Sequence, residues 1–136
     1  MMNVIQLFKR KIMKYAIQIN INSNGKIFEG FIMINKELLL IPGKNKISII
    51  NINDYEIIRI IDVPNSDSII GVCMLNDNIL FTGDSNGIIR EWKIEEDNLI
   101  LISQKENAHN RAINTLINIG DGHIASGAND KLIKIW

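Results

Sequence analysis

The sequence predicts an all-β chain of tandem four-stranded antiparallel units, and three observations carry that expectation. Residues 82–92 read TGDSNGIIREW and residues 126–136 read SGANDKLIKIW, nearly the same string. Their tryptophans lie about 44 residues apart, the length of one four-stranded propeller blade. Almost no segment has helical periodicity. Short Ile-rich runs alternate instead with clusters of Asn, Asp, Gly and Ser, the pattern of many short strands and tight turns. A single repeat cannot bury its own apolar face, whereas stacked copies can. The 136 residues therefore read as a partial β-propeller of about three blades.

In chain order, strands are expected at 14–21, 26–34, 38–41, 46–52, 55–62, 68–75, 79–82, 88–94, 99–104, 112–117, 123–126 and 132–136. Each is rich in Ile and Leu, which suit a pleated, half-buried surface. The hairpins Gly43-Lys44-Asn45-Lys46, Asp84-Ser85-Asn86-Gly87 and Ala128-Asn129-Asp130-Lys131 place Asn, Asp or Gly where tight turns need left-handed backbone angles. Asn76-Asp77-Asn78 and Gly120-Asp121-Gly122 mark a second hairpin in each of the last two units. Pro42 and Pro64 fall at strand ends or between strands, where a missing N–H is tolerated.

A weaker third copy, FEGFIMINKELLLIPGKNKISIIN at 28–51, superposes without gaps on the middle one at a shift of about 41. That superposition sets Asn45 on Asn86 and Asn51 on Trp92. The organisation expected is an N-terminal arm over 1–13 and three repeats over 22–62, 63–104 and 105–136. The last is incomplete because it stops before a fourth strand.

Composition narrows the function. Formal net charge is zero, which argues against a dedicated nucleic-acid binder. Ile and Asn make up roughly a third of the chain, far above ordinary usage, and we read this as codon bias. The single cysteine, Cys73, permits no internal disulfide. In the run IIGVCML it behaves as a small buried hydrophobe, as suits a reducing cytosolic compartment. No apolar run approaches the roughly 18 residues of a membrane span. Lys9, Arg10, Lys11 and Lys14 follow a short apolar stretch, the reverse of a secretory signal, and form a solvated arm.

The last copy, AHNRAINTLINIGDGHIASGANDKLIKIW, resembles the WD-repeat family of β-propellers. That pattern has a His before the inner strand, a Ser or Thr on the second strand, an Asp in the next hairpin and a Trp on the third. Here these are His109, Ser126, Asp130 and Trp136. The middle copy keeps Thr82 and Trp92, has Asn86 in place of the Asp, and carries Asn65 where the His would stand. The first copy keeps only its strand pattern. The resemblance implies that the four residues form a structural tetrad, a chain of hydrogen bonds from Trp to Ser to His to Asp.

Ser126, His109 and Asp130 also invite a catalytic-triad reading. A triad needs an exposed, activated Ser with an oxyanion hole. Ser126 instead lies inside an expected strand with no Gly-X-Ser-X-Gly elbow around it. Two histidines are too few for a metal site, and the segment GDGH lacks the Gly-Lys-Ser/Thr ending of a phosphate loop. No catalytic, cofactor or metal site is expected.

The function expected is a non-catalytic scaffold that binds other proteins, in the cytoplasm or nucleus. The alternative is the substrate-recognition portion of a multidomain enzyme, such as a kinase or ubiquitin-ligase subunit. The resemblance places partner binding on the loops of the narrower, upper face, with Arg111, Ser85 and Asn129 as candidates. Three blades do not close a ring that typically needs about 4–8. The chain is therefore expected to be part of a longer propeller or to self-associate through open blade edges. The strand 14–20 would otherwise complete the last blade.

Overall fold

The structure, a computed structural model, describes residues 18, 19, 21 and 30–136. The expected arm over 1–13 and most of strand 14–21 lie outside the described residues, as do residues 26–29 of strand 26–34. Gln18, Ile19 and Ile21 belong to no strand. The described residues hold no helix. Their first sheet contains β1 (Ile32–Met33), β2 (Leu38–Pro42), β3 (Lys46–Asn51) and β4 (Ile57–Asp62). The second holds β5 (Ile69–Asn76), β6 (Ile79–Asp84), β7 (Ile89–Glu95) and β8 (Asn98–Lys105), and the third β9 (Ile113–Gly120), β10 (His123–Ala128) and β11 (Ile133–Ile135). Each sheet is an antiparallel meander in chain order. The architecture is a partial propeller of stacked blades.

Two turns explain where strands depart from expectation. Tyr55 has a left-handed φ of 63°, so β4 begins two residues later than the apolar run suggests. Asp121 and Gly122 both have positive φ, 53° and 76°. Such a two-residue turn matches the twist of its flanking strands, and it keeps β9 paired through Gly120.

The alternation of side chains sorts the core into two layers. On β5–β7, Met74, Leu80 and Trp92 share the face turned to the first sheet. There they pack with Leu40, Ile47, Ile49, Val63, Ile69 and Leu99. Cys73, Phe81 and Ile89 lie on the other face and pack with Ala108, Ile113, Leu116 and Ile124 of the third blade. That second layer is tight at one point: a Cβ on Gly83 would lie 2.6 Å from Ile113 Cγ2, so the Ile113 side chain packs directly on the Gly83 backbone.

Register corrects the alignment of the first blade. Leu39 pairs with Ile50 as Leu80 pairs with Trp92. A β-bulge follows at the same point in both, between Ile49 and Ile50 and between Glu91 and Trp92. Ile50, not Asn51, therefore occupies the place of Trp92. The hairpin of the first blade is one residue shorter, which an ungapped superposition hides. Asn45 (φ 50°) accordingly stands with Gly87 (φ 79°) and Lys131 (φ 69°), the left-handed residue of each hairpin, and not with Asn86.

The β9–β11 sheet repeats the second blade on its outward face. Ile117 pairs with Ala125 and Ala125 with Ile135, as Cys73 pairs with Phe81 and Phe81 with Glu91. Cys73 and Ile89 are covered by the third blade, whereas Ile117, Ile119, Ile133 and Ile135 are exposed.

Candidate functional site

The turns between blades bring the polar residues together. His109 precedes β9, Ser126 is central in β10, Asp130 lies in the β10–β11 hairpin and Trp136 follows β11. His109 Nδ1 is 2.8 Å from Asp130 Oδ2 and Nε2 is 2.7 Å from Ser126 Oγ. Trp136 Nε1 donates to the same Oγ at 2.8 Å. A carboxylate only accepts, so the proton sits on Nδ1. The indole only donates, so Ser126 Oγ accepts from Trp136, and with His109 neutral and protonated on Nδ1 the hydroxyl gives its own proton to Nε2. One directed chain follows, from Trp136 to Ser126 to His109 to Asp130. His109 and Ser126 are buried, and each polar group in the chain has a partner, as burial requires.

The hairpin adds to the carboxylate. Asp130 accepts from the backbone N–H of Asn110 and of Leu132. Desolvation pushes its carboxyl up, but the hydrogen bonds from His109, Asn110 and Leu132 outweigh it and hold it below the ordinary value of an aspartate. A carboxyl with a lowered folded pKa adds stability that is fully present above the unfolded pKa and lost as pH falls through the folded one. Urea unfolding between pH 6 and pH 2 should therefore show a stability loss below about pH 4. Part of that loss should be absent in Asp130→Asn. An identical pH profile in the variant would refute the assignment. His109→Ala should cost about 1–3 kcal/mol in the same assay, since Ser126 and Asp130 both lose a buried partner.

The middle blade uses different chemistry. Trp92 Nε1 donates to Thr82 Oγ1 at 2.9 Å, but Asn86 is exposed and supplies no acceptor to the interior. The hairpin carboxylate is Asp84, two residues earlier. Its Oδ2 is 2.6 Å from Arg90 Nη1, and both side chains are almost wholly buried. The other Asp84 oxygen accepts from the backbone N–H of Asn86 and Ile88, and Ser66 Oγ donates to Oδ2 at 3.2 Å. Arg90 Nη2 donates to the Pro64 carbonyl at 3.2 Å. Lys134, the corresponding residue of the last blade, likewise donates to the Ala108 carbonyl at 2.7 Å. A cation from the third strand thus holds the inter-blade loop in both copies.

Sequence reasoning missed Asp84 and Arg90, although one signal was present. Arg90 has the same strand parity as Trp92 and so must face inward. A fully buried arginine is rare unless an acid accompanies it.

The upper-face candidates fall into different states. The Ser85 hydroxyl accepts from Ser68 N–H at 3.1 Å, and Ser85 N–H returns a bond to the Ser68 carbonyl at 2.8 Å. Ser85 is half-buried and committed to that link. Asn129 is exposed. Its side-chain carbonyl accepts from Asn114, and its N–H donates to the Ala112 carbonyl. Arg111 is exposed. Gly87 locks this face together: its carbonyl accepts from His109 N–H, and a Cβ there would lie 2.0 Å from the His109 carbonyl oxygen.

Nothing in these polar clusters resembles a metal centre. No group of three or more His, Cys, Asp or Glu among the described residues could hold an ion. Burial pushes the Cys73 thiol up to about 11, so it is the protonated, weakly nucleophilic form that packs in the core. No helix among the described residues is long and apolar enough to cross a membrane.

Comparison with known proteins is informative at the level of fold. No protein-family profile and no curated protein matches the chain. Among solved structures, a chain from the crystal structure of a mitotic checkpoint complex is similar, with 22% identity and a TM-score of 0.63. The match covers 74% of this chain and 30% of that one, so the present chain spans under a third of its neighbour. Geometry and comparison agree on an all-β fold, an arc of antiparallel propeller blades.

Proposed function

We propose that this chain is a non-catalytic protein-interaction scaffold of the WD-repeat type, acting in the cytoplasm or nucleus. The observation that carries the reading is how its chemically capable side chains are used. Ser126, His109 and Asp130 are tied to one another and to Trp136, and the Ser126 hydroxyl is only 1% exposed. A serine nucleophile needs an open approach and donors for the developing oxyanion. The set is better suited to holding the last blade's loop, hairpin and third strand together. Trp92 and Thr82 play the same part in the middle blade, with the Asp84–Arg90 pair in place of the missing histidine.

Partner binding then belongs to the upper loops, where Arg111 offers a planar charge with stacking ability and Asn129 an exposed amide. Ser85 contributes by shaping the loop. The exposed aliphatic face of β9–β11 takes a further blade, from the same protein or from a second copy. The upper-face reading is tested by affinity purification of the full chain from cells, compared with Arg111→Glu. The expected result is a specific set of co-purifying proteins that the variant loses while its thermal melt is unchanged. Labelling of Ser126 by a fluorophosphonate probe would sink the non-catalytic assignment.

A further inference from the structure

A second surface lies on the rim of the middle blade, away from the upper loops and from the face of β9–β11. Strand β8 is the outer strand of its sheet, and none of the described strands pairs with its free edge. It is eight residues long. Ile100, Leu101 and Ile102 at its centre are 43%, 44% and 50% exposed. Leu101 pairs with Trp92 and Ser103 with Glu91, so Ile102 is the extra residue of a bulge, and it too is aliphatic. The run from Leu99 to Ser103 contains no charge and no proline. Edge strands are normally blunted by such residues, because an open, apolar edge is a template for another strand. The outer strand of the first blade, β4, is shorter, and Arg59 at its centre turns inward to Asp97 at 2.7 Å.

The ends of β8 indicate what fits the edge. Glu95, Glu96 and Asp97 cluster at its start, where Glu95 holds Lys93 and Asp97 holds Arg59, leaving Glu96 as the acid that faces outward for a partner, and Lys105, followed by Glu106, closes its other end. We propose that β8 pairs antiparallel with β8 of a second copy, about a twofold axis normal to the sheet and close to Leu101. A twofold axis makes such an interface self-complementary. That arrangement sets Leu101 against its own copy and Ile100 beside the second copy's Ile102. It also brings Lys105 to the second copy's acidic turn, twice over. Other antiparallel registers of the same parity bring Ser103 or Asn98 against the aliphatic residues, or separate Lys105 from Asp97. The pairing would complete the backbone hydrogen bonds of β8 and cover its aliphatic side chains on both faces.

The test is sedimentation velocity of the full chain with three sets of variants. The wild type is expected to dimerise. Ile100→Lys with Ile102→Lys should abolish the β8 dimer with an unchanged thermal melt, since both side chains are exposed, and should leave a monomer once Ile117→Lys with Ile133→Lys blocks the last-blade face. Lys105→Glu should raise the dimer dissociation constant about tenfold, and adding Glu96→Lys should restore it. Under mild oxidation Leu101→Cys should form a disulfide-linked dimer that Ser103→Cys does not. A monomeric wild type overturns the proposal. So does an oligomer that survives Ile100→Lys with Ile102→Lys in a chain whose last-blade face is blocked by Ile117→Lys with Ile133→Lys. Ile117→Lys with Ile133→Lys tests the separate apolar face of the last blade, so the two readings can fail independently.

Discussion

Trp92→Ala should lower the stability of the chain by about 3–5 kcal/mol, the range for deleting a large buried aromatic. The ring is 3% exposed. It sits in the layer between the first two sheets with Leu80, Ile47 and Ile49, so its removal leaves a cavity that two rigid sheets cannot readily close. Loss of the indole also strips buried Thr82 of its donor, at a further cost for an unpaired polar group. Trp136 is the internal control. It makes the equivalent bond to Ser126 but is 36% exposed, so Trp136→Ala should cost clearly less. Urea unfolding followed by circular dichroism measures both. Equal losses, or less than about 1 kcal/mol at Trp92, would show that the ring does not anchor the blades. Since total stabilities run at about 5–15 kcal/mol, a loss of the expected size could unfold the variant outright, and Trp92→Phe then supplies an intermediate.

The fold was legible because its determinants are periodic. Alternation along β5, β6 and β7, punctuated by the turns Asn76-Asp77-Asn78 and Asn86-Gly87, specifies strands and hairpins locally. The spacing of Trp92 and Trp136 specifies the unit that repeats. Two kinds of information were not legible. One is a deletion inside a hairpin: the first blade drops one residue between Pro42 and Lys46, and only cross-strand register reveals that Ile50 replaces the Trp. The other is substitution of one polar device for another. An eye trained on the His–Asp spacing of the last blade looks to Asn65 and Asn86, whereas the middle blade draws its acid from Asp84 and its base from the third strand. Ser85 illustrates a related limit. A turn position marks a residue as upper-face, but its hydroxyl had already been recruited by Ser68.

The buried pair leads to the second large effect. Asp84→Ala should cost about 3–5 kcal/mol, because it leaves Arg90 as an uncompensated charge in the interior. The loss is not confined to the ion pair. Asp84 also receives Ser66 and the N–H groups of Asn86 and Ile88, so the hairpin and the inter-blade loop loosen together. The hairpin in turn carries Gly87, whose carbonyl holds His109 of the next blade, and damage should therefore spread to the last blade's hydrogen-bonded chain. Hydrogen exchange at His109 N–H would report that spread. Burying two charges is itself expensive, and replacing both by apolar groups is often neutral or better. The double variant Asp84→Ala with Arg90→Met should accordingly recover much of the loss, and a double-mutant cycle should yield a coupling of about 1–3 kcal/mol. Strict additivity of the two single losses would mean that the pair is incidental. The first blade supplies a natural precedent for the apolar solution: it has Ser48, a small neutral residue, in the register of Arg90, paired with Ile41 where the middle blade pairs Arg90 with Thr82, and it packs without any buried ion pair there. What the Asp84–Arg90 pair contributes is then a fixed geometry between neighbouring blades, with Arg90 reaching Pro64 across the loop, rather than a net gain in stability over an apolar core.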